Sequence, residues 1–128
     1  MYLVPAVKDK TQVSRGRGVG GLATIWKKSL TKYVTKLDSK NPRVQASMFN
    51  FPQCPIVVVN TYFPCDPRSS NSDLKELHNL LNDIEEIIRD LNLSNIMLCG
   101  DLNCDFEREN RFTITIADWI KNLNLNVL

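Results

Sequence analysis

The sequence predicts a mixed α/β fold in which one helix crosses between two neighbouring strands. Residues 56–63 form a continuous run rich in Ile and Val, which is typical of a strand buried on both faces. Leu and Ile then recur every three or four positions over residues 73–91, which predicts an amphipathic helix. A short apolar run at residues 95–99 predicts the next strand. The order strand, helix, strand indicates a crossover that packs the helix against a sheet.

Length and composition fit one domain, residues 1–128, that is large enough to bury a core. The share of hydrophobic residues is 43% and that of charged residues 23%, both ordinary for a soluble globular protein, and no apolar run reaches the length of a membrane span. Residues 1–7 are apolar but too short for a signal peptide, and they lack a basic leader. We therefore expect an intracellular protein, nuclear or cytoplasmic, without a membrane partner.

Three further strands are predicted ahead of the buried run. Residues 22–26, 33–37 and 44–49 are short, rich in β-branched or aromatic side chains, and separated by Ser, Lys, Asn and Pro. We interpret them as an antiparallel run of strands. At the start of the predicted helix, Asp73 and Glu76 have the spacing of a capping box.

A second helix is predicted near the carboxyl end of the chain, although a Thr-Ile-Thr segment inside it favours extended structure locally. Its apolar face consists of Phe112, Ile116, Trp119, Ile120 and Leu123. Helical spacing of these residues is the basis of the prediction.

Positive charge is concentrated in the first part of the chain. Residues 1–45 carry ten Lys or Arg against two Asp, a net charge of +8, and the remaining residues carry a net charge of −6. This asymmetry fits a protein that holds a polyanion while presenting carboxylates elsewhere. The alternative is that the lysines form a solvated face, as charge runs usually do. Within this part, residues 11–21 are polar and Gly-rich and are predicted to form a flexible basic loop.

The four cysteines are Cys54, Cys65, Cys99 and Cys104, and they lack the Cys-x-x-Cys spacing of a structural zinc site. Cys54 and Cys99 lie beside or within predicted strands, so we expect buried free thiols in a reducing compartment. No disulfide-linked partner is expected. His78, the one histidine, lies at the border of the apolar helix face, and we expect it to be structural.

Polar side chains follow the strand predicted at residues 95–99. Asp101, Asn103 and Asp105 alternate with apolar or thiol residues, so they point to one side of the chain if it stays extended. Two carboxylates and an amide in one small volume suit a hard cation or a hydrolytic water. The alternative is that these residues only build a turn.

Three motifs occur in a characteristic order along the chain. They are Gly-Arg-Gly-Val-Gly-Gly-Leu-Ala-Thr-Ile-Trp-Lys-Lys-Ser-Leu at residues 16–30, Val-Val-Asn-Thr-Tyr-Phe-Pro-Cys-Asp at residues 58–66, and Gly-Asp-Leu-Asn-Cys-Asp at residues 100–105. Together they resemble the endonuclease/exonuclease/phosphatase (DNase I-like) family, and most of all the apurinic-type endonuclease domains of non-LTR (LINE-like) retrotransposons. The resemblance implies a two-layered β-sandwich flanked by helices. It also implies hydrolysis of phosphate esters with Mg2+ or Mn2+ and DNA as the partner.

The resemblance assigns roles to three residues of these motifs. Tyr62 is implied to contact the scissile phosphate, Asp101 to orient or deprotonate the attacking water, and Asn103 to position Asp101 and the phosphate. Such a displacement requires an activated water and hydrogen-bond donors on the phosphate oxygens. For Asn60 we expect a hydrogen bond that fixes the strand end and no catalytic role.

The chain departs from the family pattern at both ends. The amino-terminal motifs with an Asn and a metal-binding Glu are missing, as is the carboxy-terminal Ser-Asp-His motif, and no glutamate precedes Glu76. We therefore expect an incomplete central portion of the domain, with weak metal binding and weak or absent activity. Two alternatives stay open: a hydrolase of the phosphatase branch of the family, and a non-catalytic nucleic-acid-binding remnant.

Overall fold

The computed structural model describes residues 1–5, 21–65, 71–91 and 95–127. These residues form two β-sheets, two α-helices and a short 3-10 helix, joined by loops. The smaller sheet pairs β1 (Tyr2–Val4) with β2 (Leu22–Thr24) in antiparallel orientation. The larger sheet has the order β3 (Val34–Leu37), β4 (Val44–Phe49), β5 (Ile56–Tyr62) and β6 (Ile96–Asp101). Its first two pairs are antiparallel and the β5–β6 pair is parallel. The predicted mixed α/β class is confirmed, and the two-layered β-sandwich stays a prediction.

The first helix, α1 (Asn71–Leu91), connects β5 to β6. A parallel pair requires such a crossover, so the predicted strand, helix, strand unit is confirmed. The helix begins before the predicted position, which places Asp73 inside it, and the Asp73 side chain is outside what the structure describes. Glu76, its predicted capping partner, accepts a hydrogen bond from Arg43 Nε at 2.8 Å.

The second helix is confirmed as α2 (Arg111–Asn122). Asn110 precedes it in an extended conformation, and its side-chain oxygen accepts a hydrogen bond from Thr113 N at 2.9 Å, which is a helix N-cap. Inside the helix, the Thr115 hydroxyl donates to the Arg111 carbonyl at 2.7 Å. The threonines that favour extended structure are therefore accommodated by local hydrogen bonds.

One face of the larger sheet and both helices form the core. Its buried residues are Val44, Ala46, Val57, Val59, Phe63, Leu77, Leu80, Leu81, Ile84, Phe112, Ile116 and Trp119. Burying each large side chain of this kind stabilises the fold by roughly 1.5–3 kcal/mol. The apolar residues whose spacing predicted the two helices are the residues through which the helices pack in this core.

The opposite face of the larger sheet is polar and lies against β2. Gln45 is fully buried there; it accepts a hydrogen bond from Thr24 Oγ1 at 2.5 Å and donates to the Tyr2 carbonyl at 3.0 Å. Asn60 Nδ2 donates to the Ala23 carbonyl at 3.2 Å. These bonds tie the smaller sheet to β4 and β5. Asn60 forms a hydrogen bond as predicted, but the bond links β5 to β2 instead of fixing the strand end.

Two strand predictions need correction. Residues 22–26 do not continue the antiparallel run, because β2 pairs with β1 and a 3-10 helix (Lys28–Tyr33) carries the chain on to β3. β5 is fully buried on one face and half-buried on the other, where β2 covers it in part. The basic loop predicted at residues 11–21 lies outside the described residues, apart from Gly21.

The strand β6 is an edge of the larger sheet within the described residues. Met97 is 51% exposed, and an apolar groove of about 310 Å3 lies beside the strand. Its lining includes Phe106 and Val127, which are also exposed. The predicted burial of Cys99 is wrong because its side chain lies, with that of its partner Asn60, on the sheet face opposite the core. Cys54 is exposed in the loop before β5.

All four cysteines are free thiols. In the described part of the chain, no helix has both the length and the apolar character needed to cross a membrane.

Candidate functional site

Tyr62 and Asp101 meet at the end of the parallel β5–β6 pair. They are direct partners in the register, and the pairing continues one step further because Phe63 N donates to the Asp101 carbonyl at 2.8 Å. Paired residues of neighbouring strands project from the same face of a sheet. The phenol and the carboxylate therefore lie on one side of the sheet, so the structure brings together two of the three residues predicted for the site.

Asn103 holds the Asp101 carboxylate in place. Its backbone N–H donates to Asp101 Oδ1 at 3.0 Å, and its side-chain Nδ2 donates to the Phe63 carbonyl at 2.7 Å. The residue has φ 47°, in the left-handed region that Asn tolerates better than most residues. The backbone bond closes a local turn at Asp101, like the one at Asp105, and the Asn103 side chain ties this turn to the end of β5. We call Tyr62, Phe63, Asp101 and Asn103 the β5–β6 corner.

Gly100 allows the two strands to approach closely at this corner. Its φ is 123°, and a Cβ atom at this position would lie 2.0 Å from the Thr61 carbonyl oxygen. Both the backbone conformation and the available space require glycine here. The Gly-Asp pair of the sequence motif thus has a structural reason: the glycine lets β6 deliver the aspartate next to Tyr62.

Asp105 does not join the corner, because the chain turns at Asn103 instead of staying extended. Asp105 Oδ1 accepts a hydrogen bond from Glu107 N at 3.1 Å, and Oδ2 forms an ion pair with Arg108 Nε at 3.2 Å. The alternative interpretation, that part of this stretch builds a turn, therefore holds for Asp105.

Arg43 is a neighbour of the corner that the sequence did not predict. Its guanidinium carbon lies 5.2 Å from the centre of the Tyr62 ring, and Nη1 is 3.5 Å from the Tyr62 carbonyl. Glu76 on α1 fixes the other side of the guanidinium through the 2.8 Å bond from Nε. Antiparallel pairing of β4 with β5 places Arg43, the residue before β4, beside the end of β5.

The described residues contain no group of three or more His, Cys, Asp or Glu side chains placed to hold a metal ion. Proteins usually hold Mg2+ through one or two carboxylates, and waters and substrate phosphates supply the other ligands. At the corner Asp101 supplies one carboxylate, one oxygen of which already accepts from Asn103. The Mg2+ or Mn2+ that the resemblance implies stays a prediction, with Asp101 as the carboxylate that would contact it.

His78 and Cys104 lie near acidic groups but in different places. His78 is exposed in a groove between α1 and α2, together with Glu85 and Asp118.

Partial burial raises the pKa of the Cys104 thiol, and the charges of Asp105 and Asp101 raise it further. Cys104 therefore belongs to the surroundings of the corner and stays protonated over a wider pH range than an ordinary thiol.

No family model, curated protein or solved structure matches this chain. The resemblance to the endonuclease/exonuclease/phosphatase family therefore stays a prediction that rests on the three motifs. The geometry of the corner is the structural basis for any function assigned to the protein.

Proposed function

We propose that the β5–β6 corner is the phosphate-binding part of a phosphodiester hydrolase site of the DNA endonuclease type, and that the 128-residue chain has weak or no turnover. The observation that carries the proposal is the pairing of Tyr62 with Asp101 at the end of two parallel strands, with Asn103 holding the carboxylate. These are the residues that the motifs assigned to phosphate and water.

Each side chain has a chemical role in this proposal. The Tyr62 hydroxyl donates a hydrogen bond to a phosphate oxygen, and the Asp101 carboxylate orients the attacking water and accepts its proton. Asn103 keeps that carboxylate in one orientation. Arg43, whose charge is paired with Glu76, packs against the Tyr62 ring and orients it.

Weak turnover follows from the small number of charged groups that face the phosphate. Stabilising the charge that develops on a transferring phosphoryl group is usually the largest contribution to the rate. The cation beside Tyr62, Arg43, is already paired with Glu76. We therefore expect binding of phosphodiesters to be easier to detect than their hydrolysis.

Duplex DNA binding measured by fluorescence anisotropy tests the corner directly. Asp101→Asn removes a negative charge next to the phosphate, so we expect affinity to rise by about threefold to fivefold. Tyr62→Phe removes a donor and lowers affinity. Asp118→Asn, which changes the same charge on the exposed face of α2, is the matched control and leaves affinity unchanged. If Asp101→Asn and Tyr62→Phe both bind like the control, the corner does not contact phosphate.

Turnover is tested by nicking of supercoiled plasmid in Mg2+. We expect no nicking above a control without protein. Robust nicking that Asp101→Ala abolishes would contradict the expected weak turnover and show a working endonuclease. Turnover of an inositol phosphate without affinity for DNA would instead favour the phosphatase branch.

A second candidate function, binding of nucleic acid without chemistry, is favoured by the exposed lysines. Residues 21–65 contain six Lys or Arg and one acidic residue, Asp38. This function predicts a gel shift that weakens steeply between low and physiological salt and that Asp101→Ala does not affect. Binding that is insensitive to salt would exclude it. For either function we expect a nuclear or cytoplasmic location, since free thiols are typical of reducing compartments.

A further inference from the structure

Four aromatic rings meet at the end of the larger sheet that is remote from the β5–β6 corner. Phe49 lies beside the first residue of β5, whereas Tyr62 is the last, about 20 Å away along the strand. The rings of Trp26 and Phe51 lie 6.3 Å and 5.9 Å from the Phe49 ring, and Tyr33 lies 5.5 Å from Phe51. All four side chains are half-buried, so part of each ring remains open to solvent.

Exposed lysines surround these rings. Lys27, Lys28 and Lys32 lie at the start of the 3-10 helix or within it, and Lys32 Nζ is 4.8 Å from the centre of the Tyr33 ring. The one acidic residue between residues 21 and 65, Asp38, follows the far end of β3. The aromatic–lysine patch consists of Trp26, Lys27, Lys28, Lys32, Tyr33, Phe49 and Phe51.

Packing explains the contacts between the rings but not the charges around them. Rings that only close the end of a sheet are equally stable beside acidic, basic or neutral residues. The charged residues nearest in sequence to Trp26 and Tyr33 are Lys27, Lys28 and Lys32, all positive, and Ile25 beside Trp26 is 77% exposed. The indole is also held in one orientation, because Trp26 Nε1 donates to Thr31 Oγ1 at 3.2 Å. A flat, unsaturated and anionic ligand complements both the rings and the lysines.

We propose that the aromatic–lysine patch binds single-stranded nucleic acid. Unpaired bases stack on Trp26 and the neighbouring rings, and the lysines contact the phosphates between them. Bases in a duplex are stacked on each other and cannot reach the rings, so the patch prefers a single strand. The inference deepens the nucleic-acid-binding function proposed above and rests on it, but it uses no residue of the β5–β6 corner.

Intrinsic fluorescence of the whole chain provides the first test. Trp26 lies in the patch, whereas Trp119 is 6% exposed in the core and contributes a constant background. Titration with an oligothymidine strand should quench the emission, and a duplex of the same length should bind more weakly. Contacts from three lysines to single-stranded phosphates predict a slope of about −2 for log K against log salt concentration. A titration without quenching and without a change in anisotropy of a labelled strand contradicts the proposal.

Variants separate the patch from the rest of the positive surface. Lys27→Glu combined with Lys28→Glu changes two exposed side chains, and we expect affinity for the single strand to fall at least about tenfold. Lys75→Glu combined with Lys121→Glu, on the exposed faces of α1 and α2, makes the same charge change; it is the matched control and should bind like the unchanged protein. Trp26→Phe should keep most of the affinity while losing the quenching, whereas Trp26→Ala should lose at least about fivefold in affinity. Circular dichroism spectra show whether each variant is folded.

The outcomes distinguish this proposal from the functions above. If the unchanged protein binds DNA with salt dependence but the double Lys→Glu variant binds equally well, the patch is not the contact surface and the general binding function stands. If the unchanged protein binds no nucleic acid, the patch proposal and the general binding function are both wrong. The Asp101 and Tyr62 variants test the corner independently of either result.

Discussion

At the scale of single residues, Gly100 controls the approach of β6 to β5. We expect Gly100→Ala to destabilise the protein by about 3 kcal/mol or more, because the new Cβ would lie 2.0 Å from the Thr61 carbonyl oxygen and φ is 123°. Urea unfolding followed by circular dichroism measures the change. Cys99→Ala, on the exposed neighbouring side chain, is the control and should stay within about 0.5 kcal/mol. An unchanged urea midpoint for Gly100→Ala would contradict this account of the corner.

The thiol of Cys104 reports on the charges around the corner. Its pKa is raised by burial first and then by Asp105 and Asp101, so removing either carboxylate stabilises the thiolate and lowers this pKa. At a fixed mildly alkaline pH, we expect Asp105→Asn to speed alkylation of Cys104 by iodoacetamide, and Asp101→Asn to do so by less. Peptide mapping by mass spectrometry measures the rate at each cysteine. Equal acceleration at Cys54 would mean that the variant has loosened the fold instead.

Motifs predicted Tyr62, Asp101 and Asn103 because each belongs to a short sequence pattern, and the structure places them in one corner. Arg43 could not be found in this way, since its place beside Tyr62 depends on the register of β4 with β5. Asp105 is the reverse case, because the sequence pattern placed it with Asp101 and the structure does not. The side chain of Asp105 does not face the corner because the backbone turns at Asn103. The alternation of side chains along an extended chain does not reveal such a turn.

At the scale of the elements, the start of α2 depends on a side chain that the sequence pattern did not reveal. Asn110→Ala removes the acceptor for Thr113 N and should lower the free energy of unfolding by about 1 kcal/mol. Asn110→Asp keeps an acceptor at the same position and is the conservative comparison. Thermal unfolding measures both, and equal stability of the Ala and Asp variants would show that the cap contributes nothing.

Periodicity predicted both helices because each buries one face in the core, and that burial determines the spacing of the apolar residues. It could not predict β1 or the 3-10 helix. β1 has three residues, too few for an alternating pattern to be recognised, and its pairing with β2 is what defines it as a strand. The 3-10 helix has no buried residue, so no apolar pattern marks it.

At the scale of the whole molecule, opposite charges occupy different surfaces. The segment from β2 to β5 carries lysines, most of them in the connections between its strands, while α1 presents acidic side chains. The two surfaces meet where Lys40 Nζ lies 3.1 Å from Glu86 Oε1. Exposed ion pairs of this kind contribute little to stability. The separation of charge mainly affects how a polyanion approaches the protein. At low salt, a polyanion is attracted to the lysine-bearing surface and repelled by α1, and added salt weakens both effects.

The exposed edge of β6 predicts self-association. Met97 on this strand is 51% exposed, and Ile96, Leu98 and Cys99 add no charge that would protect the edge. We expect light scattering that rises with protein concentration, and we expect Met97→Lys to reduce it. Lys replacing Ile114, which is 52% exposed on α2, is a matched control with the same charge change. If both variants behave alike, net charge and not the strand edge determines association.

Asn103 and the Phe63 carbonyl it contacts are 40 residues apart in the sequence. The corner therefore cannot form until the chain between them has closed, so it assembles together with the long-range contacts that limit folding rates in such topologies. An unfolded chain has no equivalent of this site. A phosphodiester that binds there should raise the unfolding temperature in proportion to RT ln(1 + [L]/Kd), which gives a thermal-shift measure of affinity even where turnover is too slow to follow.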